Sequence, residues 1–316
     1  MRLVFRSDAT PKIGTGHVMR SSAIAEEAIS RGIRCIFVGD IKGFPWVENR
    51  LKDIGFFQIV NDPDVFKSNA KSDILIIDTY ETSVIKNFLI TNSWLKVVNI
   101  FDSLTPEFEC DLRIHPGLST NWLNSGKEVT LSGPDYIPIR KSITRELKPN
   151  ESNPIEILVV GGGADSTDFV LAVAGELARV KKEFNVRLFT RHVNPENLDY
   201  RFSVNAIGND LDLIANRADL IFSTASTTSL EFIARGSAVA IGCAADNQEQ
   251  YYSELALGNF AHPIGEFKDK WIFKSKSIFE IVESESLRRN LKVQTSGLID
   301  FLGSQRIVDQ IQNLIV

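Results

Sequence analysis

A chain of 316 residues exceeds the roughly 100–200 expected of one ordinary domain, so two α/β domains are expected. Hydrophobic residues at 43% and charged residues at 24% are the proportions of a globular protein and exclude disordered, collagen-like and coiled-coil classes. A net charge of −5 supplies no cationic field for nucleic-acid phosphates or anionic lipid, so any anionic ligand must be held by local groups.

Cys35, Cys110 and Cys243 are odd in number and widely spaced, which argues against a disulfide framework and a zinc site and fits a reducing cytoplasm. No stretch approaches the ~20 apolar residues that span a bilayer, and the N-terminal run Leu3–Phe5 is too short for a signal-peptide core. A soluble cytoplasmic chain without an integral membrane segment is expected.

Short apolar runs alternate with helical patterns in chain order. They are Leu3–Phe5, Cys35–Val38, Ile74–Ile77 and Val97–Ile100, then Ile157–Val160, Val186–Phe189, Leu220–Phe222 and Ala238–Ile241. Such alternation predicts parallel sheets. Between the first two runs, Ser21, Ile24, Ala25, Ala28 and Ile29 recur three or four apart and Gly32 supplies a stop, which predicts a helix from Val18 to Arg31. The polar stretch Arg145 to Pro154 carries two prolines and precedes a fresh strand–glycine unit, so the expected domains are 1–147 and 148–316. Two such domains in series have their natural ligand site in the cleft faced by the carboxyl ends of their strands. Apolar residues at 307, 308, 311, 314 and 315 predict a closing helix over Gln305 to Val316.

Five motifs could carry chemistry. The first runs from Arg6 and Asp8 through Gly14, Gly16 and His17 to Arg20, from strand end through a tight loop into a helix. Glycines there let backbone approach a ligand, and a helix start offers N–H groups to an anion. His17 would sit beside that anion with a side chain suited to general-base work near neutrality, although a structural histidine needs only a satisfied hydrogen bond. The loop lacks the third glycine of a dinucleotide fingerprint and the lysine of a nucleoside-triphosphate loop. Next, Asp73 to Tyr80 reads as a buried strand delivering Asp78 and Tyr80 at its carboxyl end, where Asp78 could bind ligand or cap the next helix.

Gly161-Gly162-Gly163 could cradle phosphate or let helix and strand pack closely. Thr228 to Glu231 matches a capping box, while the Glu231 carboxylate could equally accept two ribose hydroxyls, and Ser229 lies between them. Asn247 and Gln248 follow a strand and could bond phosphate or sugar hydroxyls, or simply be solvated. His115, His192 and His262 have no metal-ligand spacing and read as surface or structural groups. No GxSxG elbow is present.

In order along nearly the whole chain, these pieces resemble the UDP-sugar hydrolases of pseudaminic-acid biosynthesis and, more broadly, the spore-coat-polysaccharide-type relatives of GT-B glycosyltransferases. The set Arg6, Asp8, Gly14, Gly16, His17 and Arg20 carries it most specifically. Asp78 and Tyr80, Phe101-Asp102, the stretch Tyr136 to Arg140, Gly162-Gly163 with Asp165, Ser226 to Glu231 and Asn247-Gln248 follow.

The resemblance implies a GT-B-like fold of two Rossmann-like domains. It implies a C-terminal domain holding UDP, with Glu231 near ribose, Ser229 and its helix start near phosphate, and Asn247 and Gln248 near the diphosphate-sugar region. His17 would activate water. The implied products are UDP and a free 2,4-diacetamido-2,4,6-trideoxy sugar, the substrate being UDP-2,4-diacetamido-2,4,6-trideoxy-β-L-altropyranose or a close analogue cleaved with inversion. Two departures bear on the sugar: His115-Pro116-Gly117 stands where relatives often carry asparagine, and Ala164 where threonine is common.

UDP is a good leaving group, so the second carboxylate of ordinary glycosidases is dispensable, and activity without a metal or cofactor is expected. The alternatives are a glycosyltransferase with the same donor site, in which an acceptor hydroxyl replaces water, and a non-catalytic nucleotide-sugar-binding subunit.

Overall fold

The computed structural model describes residues 1–316 except Lys12, Tyr80, 103–107, 121–128, 146–150, Ala164, 191–199, 206–210 and Val316, together with the Thr82 side chain. The chain divides into two compact units: Met1–Lys141 with Asp300–Val316, and Ser142–Ile299. The expected boundary after residue 147 lies outside the described residues.

The first unit runs β1 (Arg2–Ser7), α1 (Gly16–Ser30), β2 (Arg34–Val38), α2 (Pro45–Ile54), β3 (Gln58–Val60), β4 (Asp73–Asp78), α3 (Thr82–Thr91), β5 (Lys96–Ile100), β6 (Leu112–Ile114) and β7 (Val129–Leu131). The strands form one parallel sheet in the order β3-β2-β1-β4-β5-β6-β7. Strand order reverses between β1 and β4, and in open α/β sheets the crevice beyond that switch point is where ligands bind. Register sets Ser7 of β1 beside Asp78 of β4 at that edge.

The strands are apolar on both faces because helices cover both. Leu3, Phe5, Cys35, Phe37, Ile74 and Ile76 share one core cluster with Val18, Ile24, Ala25 and Ala28 of α1. Val4, Ile36, Val38, Leu75 and Ile77 share another with Ile85 and Phe88 of α3.

The second unit runs β8 (Ile155–Val160), α4 (Phe169–Leu177), β9 (Phe184–Phe189), β10 (Phe202–Asn205), α5 (Leu211–Ala215), β11 (Leu220–Thr224), α6 (Thr227–Arg235), β12 (Ala238–Cys243), α7 (Glu249–Leu257), β13 (His262–Phe267), β14 (Trp271–Phe273), α8 (Ser275–Glu283) and α9 (Glu285–Gln294). Its sheet order is β10-β9-β8-β11-β12-β13-β14, with the switch point between β8 and β11. The expectation of parallel sheets needs one amendment: β14 turns back antiparallel on β13 at the edge. There Trp271 stacks on Phe273 and donates its indole N–H to the Thr167 carbonyl at 2.8 Å.

The closing helix is present as α10 (Gly303–Asn313), but it belongs to the first unit, so the expected 148–316 domain is corrected at its end. Ile307, Val308 and Ile311, all at 0% exposure, fill the cluster that contains Ile24, Ala25 and Ala28 of α1. Arg31, at the end of α1, completes the contact by donating to Asp309 at 2.5 Å and Gln312 at 2.9 Å.

The return of α10 requires a close backbone approach. A Cβ on Gly303 would lie 2.1 Å from the Ile137 carbonyl oxygen, an atom that cannot swing aside. Gly303→Ala is therefore expected to destabilise the chain by about 1–3 kcal/mol despite alanine's better helix propensity. Urea unfolding measures this, and an unchanged or raised midpoint would contradict the packing described.

Candidate functional site

The start of α1 and the carboxyl ends of β4, β5 and β6 bring together a buried charged cluster. Helical spacing puts His17 and Arg20 on one face of α1, three residues apart. Asp78 is the last residue of β4, and Asp102 lies just beyond β5. Exposure is 5% for His17, 3% for Arg20, 0% for Asp78 and 4% for Asp102, so each charge depends on its partners rather than on water.

Asp78 is the hub. His17 Nδ1 lies 2.5 Å from Asp78 Oδ1, and Arg20 donates Nε to Oδ2 and Nη2 to Oδ1, each at 2.6 Å. Ser21 also donates to Oδ2 at 3.4 Å, and its hydroxyl meets that of Ser7 at 2.9 Å. Burial alone would raise the Asp78 carboxyl pKa, but the charges and hydrogen bonds of Arg20 and His17 overcome that and hold it below the usual value.

An ionised carboxylate only accepts, so the proton at the His17–Asp78 contact belongs to Nδ1 and the ring's lone pair falls on Nε2. Arg20 Nη2 lies 3.1 Å from Nδ1, farther than the carboxylate oxygen and without a lone pair to receive the bond. A neutral imidazole oriented in this way can take a proton at Nε2.

Arg20 also bonds Asp102, through Nη1 to Oδ1 and through Nη2 to Oδ2 at 3.1 Å. Asp102 was legible only as part of the family resemblance, although a carboxylate just beyond a strand is the same signal that marked Asp78. Of the surface and structural readings of His115, the structure supports the structural one. His115 is 1% exposed at the end of β6, its ring centre 5.5 Å from that of Phe101, and it interacts with Asp102. β6, with only three residues, is too short to stand out as an apolar run.

The remaining residues of the first motif have separable roles. Gly14 adopts φ 74° and donates its N–H to the Thr10 carbonyl at 2.8 Å, so the turn itself requires glycine. Gly16 is different: a Cβ there would meet nothing within 4 Å, so packing does not require glycine. Half-buried Asp8 accepts from Arg6 at 2.7 Å and from the Asp40 N–H at 2.8 Å. Tyr136 is half-buried against the core that α1 and α10 share, Arg140 is half-buried nearby in the chain, and Tyr80 lies outside the described residues.

In the second unit the motif residues lie on the segments that follow β8, β11 and β12, including both strands of the switch point. Asp165 folds back so that its carboxylate accepts the Phe169 N–H at 2.9 Å, and a Cβ on Gly161 would lie 2.0 Å from that carboxylate. Gly162 takes φ 80° and Gly163 is half-buried beside it. The glycine turn thus has a packing reason at Gly161 and a conformational one at Gly162.

The capping box expected at Thr228 to Glu231 is found two residues earlier. Ser226 is the N-cap of α6, and the Ser229 hydroxyl accepts the Ser226 N–H at 3.2 Å while donating to its carbonyl at 2.7 Å. Glu231 is therefore inside α6 and 5% exposed, beyond the capping box. Half-buried Gln248 accepts the Ala244 N–H at 3.0 Å, and Asn247 is half-buried next to it. Among the described residues no group of three His, Cys, Asp or Glu side chains is arranged to hold a metal ion, and no helix is long and apolar enough to cross a membrane.

Burial pushes the His115 pKa down to about 4, the nearby Asp102 offsetting only part of the effect. The unfolded chain gains a proton near pH 6.5 that the folded chain refuses until about pH 4, so stability is full above pH 6.5 and falls as pH drops through that window. This group should cost about 2 kcal/mol between pH 7 and pH 5. His115→Asn should flatten that part of the stability profile measured by urea unfolding, and an equal slope in the variant would assign the loss elsewhere.

No protein-family model matches the chain. It is 24% identical over 274 residues to the UDP-2,4-diacetamido-2,4,6-trideoxy-beta-L-altropyranose hydrolase of Campylobacter jejuni, covering 81% of this chain and 96% of that protein. Among solved structures it is similar to the calicheamicin glycosyltransferase CalG4, with a TM-score of 0.63 and 12% identity over 100% of this chain and 98% of that one. It is also similar to Arabidopsis thaliana UGT89C1 complexed with UDP, with a TM-score of 0.69 and 9% identity over 100% of both chains. The chain has the GT-B fold, and in sequence it resembles the UDP-sugar hydrolase that its ordered motifs suggested.

Proposed function

We propose that this chain is an enzyme acting on UDP-sugars, and that it hydrolyses a UDP-linked diacetamido-trideoxyhexose to UDP and the free sugar with inversion. The observation that carries the reading is the contact between Asp78 and His17 Nδ1, which sets Nε2 as the proton acceptor. The name of the Campylobacter jejuni relative supplies the substrate class.

In this reading His17 Nε2 takes a proton from water as the water oxygen bonds the anomeric carbon. The bond from that carbon to the diphosphate oxygen breaks, and its electron pair leaves on UDP. One displacement inverts the centre. Asp78 stabilises the imidazolium that forms without taking its proton, as the carboxylate of a hydrolase triad does.

UDP is assigned to the second unit. The N–H groups at the start of α6 and the glycine turn suit its phosphates, while the Glu231 carboxylate suits the ribose hydroxyls. Because the Ser229 hydroxyl is held within the turn, the helix backbone rather than that hydroxyl is assigned to phosphate. Asn247 and Gln248 are assigned to the diphosphate-sugar region. Asp8, Gly14, Gly16 and Arg20, with Asp78, Tyr80, Tyr136 and Arg140, are assigned to the sugar side.

The fold's likeness to a glycosyltransferase favours one alternative, transfer to an acceptor hydroxyl from the same donor site. A non-catalytic binding subunit would have no use for an imidazole oriented by a buried carboxylate.

UDP release from a panel of UDP-diacetamido-trideoxyhexoses without acceptor separates these readings. Hydrolysis predicts turnover that His17→Asn lowers by about 10²–10⁴-fold. Tight binding without turnover, restored by an acceptor, would establish transfer instead.

Gly16 provides an independent check on ligand approach. Gly16→Ala should keep or raise stability by about 0.4–1 kcal/mol, because the fold leaves room for the methyl group. The same variant should raise KM for the UDP-sugar. An unchanged KM would remove Gly16 from the site.

A further inference from the structure

The cluster around His17 contains more negative charge than the His17–Asp78 contact requires. Asp78 is paired with Arg20 through two bonds of 2.6 Å, and Arg20 turns its remaining donors to Asp102. In the form of His17 that accepts a proton the ring is neutral, and the groups joined to it by these bonds are two carboxylates and one guanidinium. A proton accepted by His17 adds a positive charge beside that of Arg20, and the Asp102 carboxylate offsets it.

Other described charged groups near the cluster have bonds of their own. Arg6 of β1 is directed to the opposite face of the sheet, 5.8 Å from the Phe88 ring of α3, and pairs with Asp8 at 2.7 Å. His115, at the end of β6, interacts with Asp102 while burial keeps the imidazole uncharged above about pH 4. Glu27 and Arg31 of α1 pair with each other at 2.7 Å, and Arg31 also holds Asp309 of α10. Arg31 lies fourteen residues along α1 from His17, or about 20 Å. Ser7 and Ser21 carry no charge.

We propose that Asp102 is a positioning residue whose charge, acting through Arg20, lets His17 accept and hold the proton of the attacking water. The proposal rests on His17 being the base of the displacement described above. Bond making and breaking are unchanged by it: the water proton goes to Nε2, the water oxygen goes to the anomeric carbon, and the electron pair of the broken bond goes to UDP. Asp102 touches none of the reacting atoms. Its part is to set a second negative charge against Arg20, which favours the protonated ring.

The test is NMR titration of the His17 ring, assigned by its loss in His17→Asn, alongside the pH profile of kcat/KM for UDP release. Asp102→Asn keeps an oxygen for Arg20 but removes the charge, Asp102→Ser removes it with a smaller side chain, and Asp102→Glu retains it. Either charge-removing variant should lower the His17 midpoint by about one pH unit or more and move the acidic limb of kcat/KM by the same amount. Asp102→Glu should restore both toward wild type.

A folded Asp102→Asn or Asp102→Ser chain whose His17 midpoint stays in place would overturn the proposal, even if its rate falls, because only packing would then have been lost. A wild-type chain that releases no UDP overturns the hydrolase reading instead. In that case the titration alone decides whether Asp102 acts on His17.

Discussion

A carboxylate at 0% exposure can remain ionised only if the fold surrounds it with donors, and Asp78 is such a group. Its two oxygens are met by His17, by two donors of the Arg20 guanidinium and by Ser21. Most features of the first unit serve that arrangement. β1 and β4 must be neighbours so that the start of α1 lies over the end of β4, and α1 must begin early enough for His17 and Arg20, one helical turn apart, to face the same carboxylate. The fork geometry of arginine matters here, since Nε and Nη2 span both oxygens of Asp78 while Nη1 remains for Asp102. α10 supports the arrangement from behind, filling the far side of α1 with Ile307, Val308 and Ile311.

The second unit repeats the layout of the first with different residues at its strand ends. Both sheets have a central parallel set with a reversal of strand order, and both place glycine-containing turns beyond the strand on one side of that reversal. In the first unit the strand ends deliver charged side chains. In the second they lead into glycine and hydroxyl residues and two buried carboxylates, Asp165 and Glu231.

Much of this was legible in the sequence because buried parallel strands are nearly continuous apolar runs. All eight runs read from the sequence coincide with strands, and the helix read from Val18 to Arg31 is α1. The strands absent from those runs, β3, β6, β7, β10, β13 and β14, are short or lie toward sheet edges, where apolar patterning weakens. Placement of α10 was not legible, because an apolar helical face does not say which of two cores it fills. At the site, His17, Arg20 and Asp78 stood out as charged residues beside glycine or at a strand end. Their mutual contacts did not, since they depend on which strands are neighbours across some sixty residues of chain. The capping box was misplaced for a local reason: Ser226, Thr227, Thr228 and Ser229 all carry hydroxyls, and only the backbone decides which of them begins the helix.

The central claim is that Asp78 fixes the protonation pattern of His17, and the tautomer of that ring can be observed without turnover or substrate. Nitrogen-15 NMR of the histidine-labelled chain at a pH where His17 is neutral reports which ring nitrogen carries the proton. The account predicts a proton on Nδ1 and a lone pair on Nε2. A ring protonated at Nε2 would mean that Asp78 does not receive the His17 bond, and the assignment of His17 as a base at Nε2 would be contradicted.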